Sequence, residues 1–125
     1  SLVAATVANG GTMPDPRLAL RVDDSQANWQ AAREGHPVIS QADAQRLLSA
    51  WRRWDTDSAG GVAGHWGIAV AGPGAPHAWF LGVAPAEGPP QYAVAVLVER
   101  AGESERALTI GRALLEAALQ GADSG

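Results

Sequence analysis

Three short apolar runs, residues 62–71, 77–84 and 91–99, are separated by two turns rich in glycine and proline, Gly72-Pro73-Gly74-Ala75-Pro76 and residues 85–90. Proline lacks an amide hydrogen and glycine accepts left-handed backbone, so such clusters end a strand and reverse the chain. Runs of this length joined by turns of this length predict consecutive antiparallel neighbours, a three-stranded meander. In the third run Tyr92, Val94, Val96 and Val98 face one way, and Ala93, Ala95 and Leu97 the other. Apolar residues on both sides predict a sheet covered on both faces, with alanine where a helix packs closely.

Elements able to cover it are also legible. Residues 2–8 form a short apolar helical pattern that stops at Asn9-Gly10-Gly11, because glycine closes a helix cheaply in the left-handed conformation. Pro14 and Pro16 lead into a brief extended stretch at 18–22, and the aperiodic residues 23–37 read as a surface loop. Ser40-Gln41-Ala42-Asp43 has the spacing of a helix N-terminal cap. Behind it Ala44, Leu47, Leu48, Trp51 and Trp54 recur at helical intervals, predicting one buried face, and residues 55–61 end that helix. A last helix is expected over 104–120 with Ser104 as its cap. Leu108, Gly111, Leu115 and Leu119 point inward, and Thr109, Arg112, Glu116 and Gln120 form a solvated stripe. The expected class is α+β: an antiparallel three-stranded meander covered by helices, in one domain.

Composition removes several functions. A chain of 125 residues can bury about two-thirds of its unfolded surface in one core. Thirteen acids against nine basic residues, all arginine, give a net charge of -4 with no run of either sign. Nucleic acid and anionic membranes want clustered positive charge, so neither is an expected partner. With no cysteine, disulfides, thiolate catalysis and sulfur-ligated zinc are excluded. No apolar run approaches the roughly 20 residues of a membrane span. No leader with a cleavage site precedes the first helix, which already reads as the interior of a helix. The chain is therefore expected to continue a longer one.

The chemistry-bearing residues are few. His65 and His77 lie on neighbouring predicted strands and would begin a zinc site, but no third ligand stands at matching spacing. Asp55 and Asp57 fall in a turn, where carboxylates cap and solvate. Ser58 and Ser104 have no lysine or histidine at catalytic spacing. Trp79-Phe80 sends one ring to each face of its strand, and Trp51 and Trp54 belong to the helix stripe; all four read as packing.

The segment Val62-Ala63-Gly64-His65-Trp66-Gly67-Ile68-Ala69 is followed by Pro76-His77-Ala78-Trp79-Phe80-Leu81-Gly82-Val83-Ala84-Pro85, with Ala8-Asn9-Gly10-Gly11 ahead of both. In this order they resemble the C-terminal part of the transpeptidase domain of class B-like penicillin-binding proteins, in the serine β-lactamase and D,D-peptidase superfamily. The resemblance implies that residues 1–125 are a single partial domain, the C-terminal portion of that fold, tied to peptidoglycan assembly. It also implies a location outside the cytoplasmic membrane, with any membrane anchor in a segment outside this chain.

In that family a serine is activated by a lysine one helical turn later. A strand reading Gly-Lys-Thr-Gly-Thr-Ala supplies a second lysine, a hydroxyl for the carboxylate of the D-Ala-D-Ala stem peptide or a β-lactam, and backbone for the oxyanion hole and strand pairing. Carried here, the groove positions are Gly64, His65, Trp66, Gly67 and Ile68. Imidazole carries charge only when protonated. Indole removes the hydroxyl and fills the carboxylate position as an aromatic plug, and Ile68 keeps its backbone N–H. The chain has no lysine at all, so it cannot perform this chemistry alone.

The resemblance therefore implies a catalytically silent binding or scaffolding module with no catalytic residue, cofactor or metal, and at most weak capture of a stem peptide or β-lactam. The other reading is the C-terminal lobe of a larger serine D,D-transpeptidase or β-lactamase-like enzyme whose Ser-x-x-Lys lies upstream. In the family the last strand pairs with an N-terminal strand not found here. The Tyr92–Val98 edge is thus the expected partner site, for an upstream segment, another protein or a second copy in a homodimer.

Overall fold

The computed structural model describes residues 2–16, 35–56 and 60–123. The chain order is α1 (Leu2–Ala8), β1 (Thr12–Met13), β2 (His36–Pro37), α2 (Gln41–Ala50), β3 (Arg52–Trp54), β4 (Val62–Ala69), β5 (His77–Ala84), β6 (Tyr92–Val98) and α3 (Glu105–Asp123). The expected meander is present, antiparallel throughout, in the order β3-β4-β5-β6. Its register sets Trp66 opposite Phe80 and Phe80 opposite Val96.

The first helix ends as its glycines predict. Gly10 and Gly11 take φ values of 61° and 93°, and the Gly11 N–H donates to the Thr6 carbonyl at 2.9 Å. A Cβ at Gly11 would strike the Ile39 carbonyl. This close approach lets the Val38 N–H reach the Gly11 carbonyl at 2.9 Å, drawing the entry to α2 against α1. The end of the expected loop is therefore ordered, with His36 and Pro37 pairing with Met13 and Thr12. The extended stretch at 18–22, most of the 23–37 loop, and Asp57 and Ser58 lie outside the described residues. Ser40 caps α2 as expected, its Oγ accepting from the Asp43 N–H at 3.1 Å.

The long tryptophan stripe is corrected by the structure. Helix α2 stops at Ala50, and Trp51 is already extended, with φ -72° and ψ 143°. Trp54 lies on β3, paired with Val62. From Trp51 onward the relevant period is two rather than 3.6, so alternate residues go to opposite faces of the sheet. Trp51 packs with Ala63, Val83, Ala86 and Ala93 on the back, near α1 and α2, whereas Trp54 packs with Val62 and Phe80 on the front, beneath α3. Arg53 follows Trp51 to the back, where it donates to the Ala86 carbonyl at 2.9 Å. The meander thus gains a fourth, edge strand. Leu47, expected in the buried stripe, is 47% exposed, and Ala44 is the buried residue of α2.

The front layer holds the larger core. Tyr92, Val94, Val96 and Val98 pack there as their alternation predicts, with Phe80, Leu115 and Leu119. The Phe80 ring is fully buried, and three glycines make room for it. A Cβ on Gly64, Gly82 or Gly111 would collide with the ring. Coverage of the back face is less than expected. The α1 and α2 layer covers one end, around Ala63, Val83 and Ala93, while Ala95 and Leu97 are exposed.

Removing this ring leaves a void that backbone on three sides cannot collapse into. Phe80→Ala is expected to cost about 3–5 kcal/mol. Gly111→Ala forces a methyl group into the ring and is expected to cost about 1–3 kcal/mol. Urea unfolding checks both: each midpoint falls, with Phe80→Ala falling further.

Candidate functional site

Strand β4 carries the positions singled out by the resemblance. Strand β3 pairs with Val62, Ala63 and Gly64 and no further, so the outer edge of β4 from His65 onward has no strand beside it among the described residues. Alternation then sorts the segment. Gly64, Trp66 and Ile68 face the front with Phe80, and His65 and Gly67 face the back with Trp79. Gly64 is buried against Phe80, and Gly67 lies over the Trp79 ring. His65 is exposed, its ring edge-on to Trp79 at 5.4 Å between centroids. Ile68 is 53% exposed beside the open edge.

The indole at position 66 does more than fill a groove. Its centroid stands 5.5 Å from that of Trp54, tilted by 51°, and Trp54 in turn lies 6.4 Å from Phe80. The Arg52 guanidinium is 5.8 Å from the rings of both Trp54 and Trp66. From α3 the Arg112 guanidinium sits 5.2 Å over Trp54. Arginine and tryptophan are thus interleaved, tying the edge strand β3, the strand β4 and the helix α3 together. Each such contact is worth about 0.5–2 kcal/mol, the exposed Arg52 at the low end.

In the expected solvated stripe of α3, Thr109 and Gln120 are exposed, whereas Arg112 and Glu116 are partly buried. Both are about one-third exposed and joined at 3.2 Å. Arg112 Nε is buried without a hydrogen-bond partner. With Asp55, Thr56 and Gln120 the pair lines a polar cleft of about 230 Å³. The four-residue spacing from Arg112 to Glu116 was a readable sign of an ion pair. The local pattern does not mark Trp54 as the surface it covers, because helical spacing places Trp54 in the α2 stripe. The pair itself adds little, about 0–1 kcal/mol at this exposure.

Other candidates separate. His65 is opposite Leu81 and His77 opposite Ala69, which sets the two imidazoles four rungs apart, about 13 Å along the strands. They form no common site. His77 instead accepts a hydrogen bond at Nδ1 from the Arg100 N–H at 2.9 Å, holding the turn before α3. Among the described residues no group of three His, Cys, Asp or Glu side chains could hold a metal. Ser104 stands just before α3, where its hydroxyl donates to the Glu105 carboxylate at 3.2 Å.

An antiparallel meander under a C-terminal helix, with a strand edge at Gly64-His65-Trp66-Gly67 left open among the described residues, fits the C-terminal architecture of a penicillin-binding domain. The chain belongs to that family: the model of the penicillin binding protein transpeptidase domain matches residues 2–119. Among individual relatives, it is 33% identical over 139 aligned residues to the peptidoglycan D,D-transpeptidase PbpA of Mycobacterium tuberculosis, covering 95% of this chain and 28% of that protein. The structure of M. tuberculosis penicillin-binding protein A as its imipenem acyl-enzyme superposes with a TM-score of 0.77 at 33% identity, over 94% of this chain and 29% of that one. A second crystal structure of the same protein gives 0.76 at 32% identity, over 94% and 31%. The chain thus spans less than a third of the relatives it matches.

Because Trp66 packs against the front core, shortening its side chain carries a structural cost. Trp66→Thr is expected to lose about 2 kcal/mol, less than full burial would give because the ring is only partly buried. Arg52→Ala is expected to lose less than 1 kcal/mol. Chemical unfolding monitored by tryptophan fluorescence separates the two.

Proposed function

We propose that this chain is the C-terminal lobe of a transpeptidase-type domain that no longer turns over its substrate and serves as a binding or scaffolding module in cell-wall assembly, outside the cytoplasmic membrane. The observation that carries this reading is the third motif. Where the family places an ammonium and a hydroxyl, this chain places an exposed imidazole on the back face and an indole turned into the front core.

Capture of a stem-peptide or β-lactam carboxylate needs charged hydrogen bonds, each worth on the order of 1.5–3 kcal/mol. Losing both the ammonium and the hydroxyl predicts weakening of two to four powers of ten. The backbone of Gly67 and Ile68 keeps its capacity to pair with an extended peptide along the open β4 edge. Residual binding would therefore be sequence-tolerant and β-strand-like.

One observation favours a second reading. The chain covers 28% of the length of the transpeptidase it resembles, leaving room for a Ser-x-x-Lys elsewhere in a longer protein. The chain would then be one lobe of a serine D,D-transpeptidase or β-lactamase-like enzyme.

The product of the complete open reading frame is to be exposed to a fluorescent penicillin and resolved by denaturing electrophoresis. The expected result is no covalent band, and none for His65→Lys combined with Trp66→Thr. A band on the unaltered protein overturns the silent-module reading in favour of the enzyme. A band on the double variant alone would mean that an upstream serine survives and that these two positions silence it.

A further inference from the structure

The geometry points to His77 as an acid-sensitive latch on the turn that feeds α3. The neutral imidazole holds the turn, and protonation of the ring releases it. Both partners of the latch lie within the described chain, and it is independent of the proposed function. Residues 99–104 link β6 to α3. Two bonds tie this turn to the chain entering β5. The Arg100 N–H donates to His77 Nδ1 at 2.9 Å, and the Gly102 N–H donates to the Pro76 carbonyl at 3.2 Å. Arg100 itself takes a φ of 52°, and it is the one residue other than glycine with left-handed backbone among the described residues. A side chain makes that conformation costly, so it persists only where surrounding contacts fix it. The contact made by the Arg100 amide is to the imidazole. The Pro76 carbonyl cannot titrate; the imidazole can.

A ring nitrogen accepts a hydrogen bond only while its lone pair is free. Neutral imidazole offers one at Nδ1 when its proton sits on Nε2, and the doubly protonated ring has donors at both nitrogens. An N–H on Nδ1 would face the Arg100 N–H across 2.9 Å, so an attraction becomes a repulsion. Imidazole is the side chain that ordinarily makes this change between about pH 8 and pH 5.

The charges around the ring do not preserve the bond. Residues 69–76, from the facing end of β4 through the turn, carry none. Register sets Glu99 opposite His77, one step beyond the pair of Ala78 and Val98. A carboxylate there offers a protonated ring a partner other than the Arg100 amide, and the Arg100 guanidinium carries charge of the same sign as that ring. At the entrance to α3, Glu103 pairs with Arg106 at 3.3 Å, and the Glu105 carboxylate accepts from the Ser104 hydroxyl at 3.2 Å. The released segment is short. Ala101 packs against the front core and α3 begins at Glu105, so loosening falls on the turn and the first turn of the helix. Gly111, further along, stays seated on Phe80.

Hydrogen–deuterium exchange of the full-length protein, followed by mass spectrometry and corrected for the intrinsic effect of pH, reads this segment directly. Between about pH 8 and pH 5, amides at 100–106 are expected to exchange roughly three- to tenfold faster, the equilibrium worth of one hydrogen bond, while those of β5 hold. In asparagine Oδ1 stands where Nδ1 stands in histidine and does not titrate. His77→Asn is therefore expected to keep the segment protected at both ends of the range. His77→Leu, which has no acceptor, is expected to exchange fast at both, with the β5 amides reporting that it is folded. A segment unmoved by acid in the unaltered protein overturns the proposal. So does an equal acid response in His77→Asn, or a folded His77→Leu protected as well as the unaltered protein. Acid loosening shared equally by β5 and all of α3 is general destabilisation and overturns it too. The asparagine variant decides the matter whether or not the leucine variant folds.

Discussion

The Phe80 ring sits where three pieces of glycine backbone meet, and the arrangement of the molecule follows from that fit. Gly64 brings β4 against one side of the ring, Gly82 holds β5 clear of it, and Gly111 lowers α3 onto it. A side chain at any of the three would push an element away. The helix would then lose Leu115 and Leu119 from the core, and β4 would shift. Gly64 is thus a packing requirement of this fold, whatever side chains stand beside it on the strand.

Trp66 joins elements that are distant in sequence. Its indole rests on Trp54 and is flanked by Arg52, with Arg112 reaching Trp54 from above. Buried aromatic area contributes through loss of contact with water, and stacked cations add to it. Trp66 is therefore tied, directly or through Trp54, to three other residues on two other elements, and its removal is felt by all of them.

Most of the fold was legible because its signals were local. The turns at 72–76 and 85–90, the alternation in β6, the glycine stop after Ala8 and the cap at Ser40 each act over a few residues, and each appears where the pattern put it. The misreading fell on Trp51 and Trp54, whose spacing suits a helix and whose alternation with Arg52 and Arg53 suits a strand equally well. Tertiary pairing with Val62, Ala63 and Gly64 decides between them, and no short window holds that information. The strand carrying the candidate positions was legible, and 62–69 is a strand. Its surroundings were not. That Arg52 and Arg112 converge on Trp54 depends on a strand edge and a helix flank brought together only by folding.

The tetrapeptide Trp51-Arg52-Arg53-Trp54 has a further consequence. Its first and third side chains are fastened behind the sheet, through the cluster around Ala63 and the Ala86 carbonyl, and its second and fourth in front, among Trp66 and Phe80. An extended backbone transmits displacement almost rigidly over such a short span. Loosening either layer therefore tugs on the other within a single peptide repeat. The α1 and α2 layer is thus joined to the layer beneath α3 by four consecutive residues of extended chain.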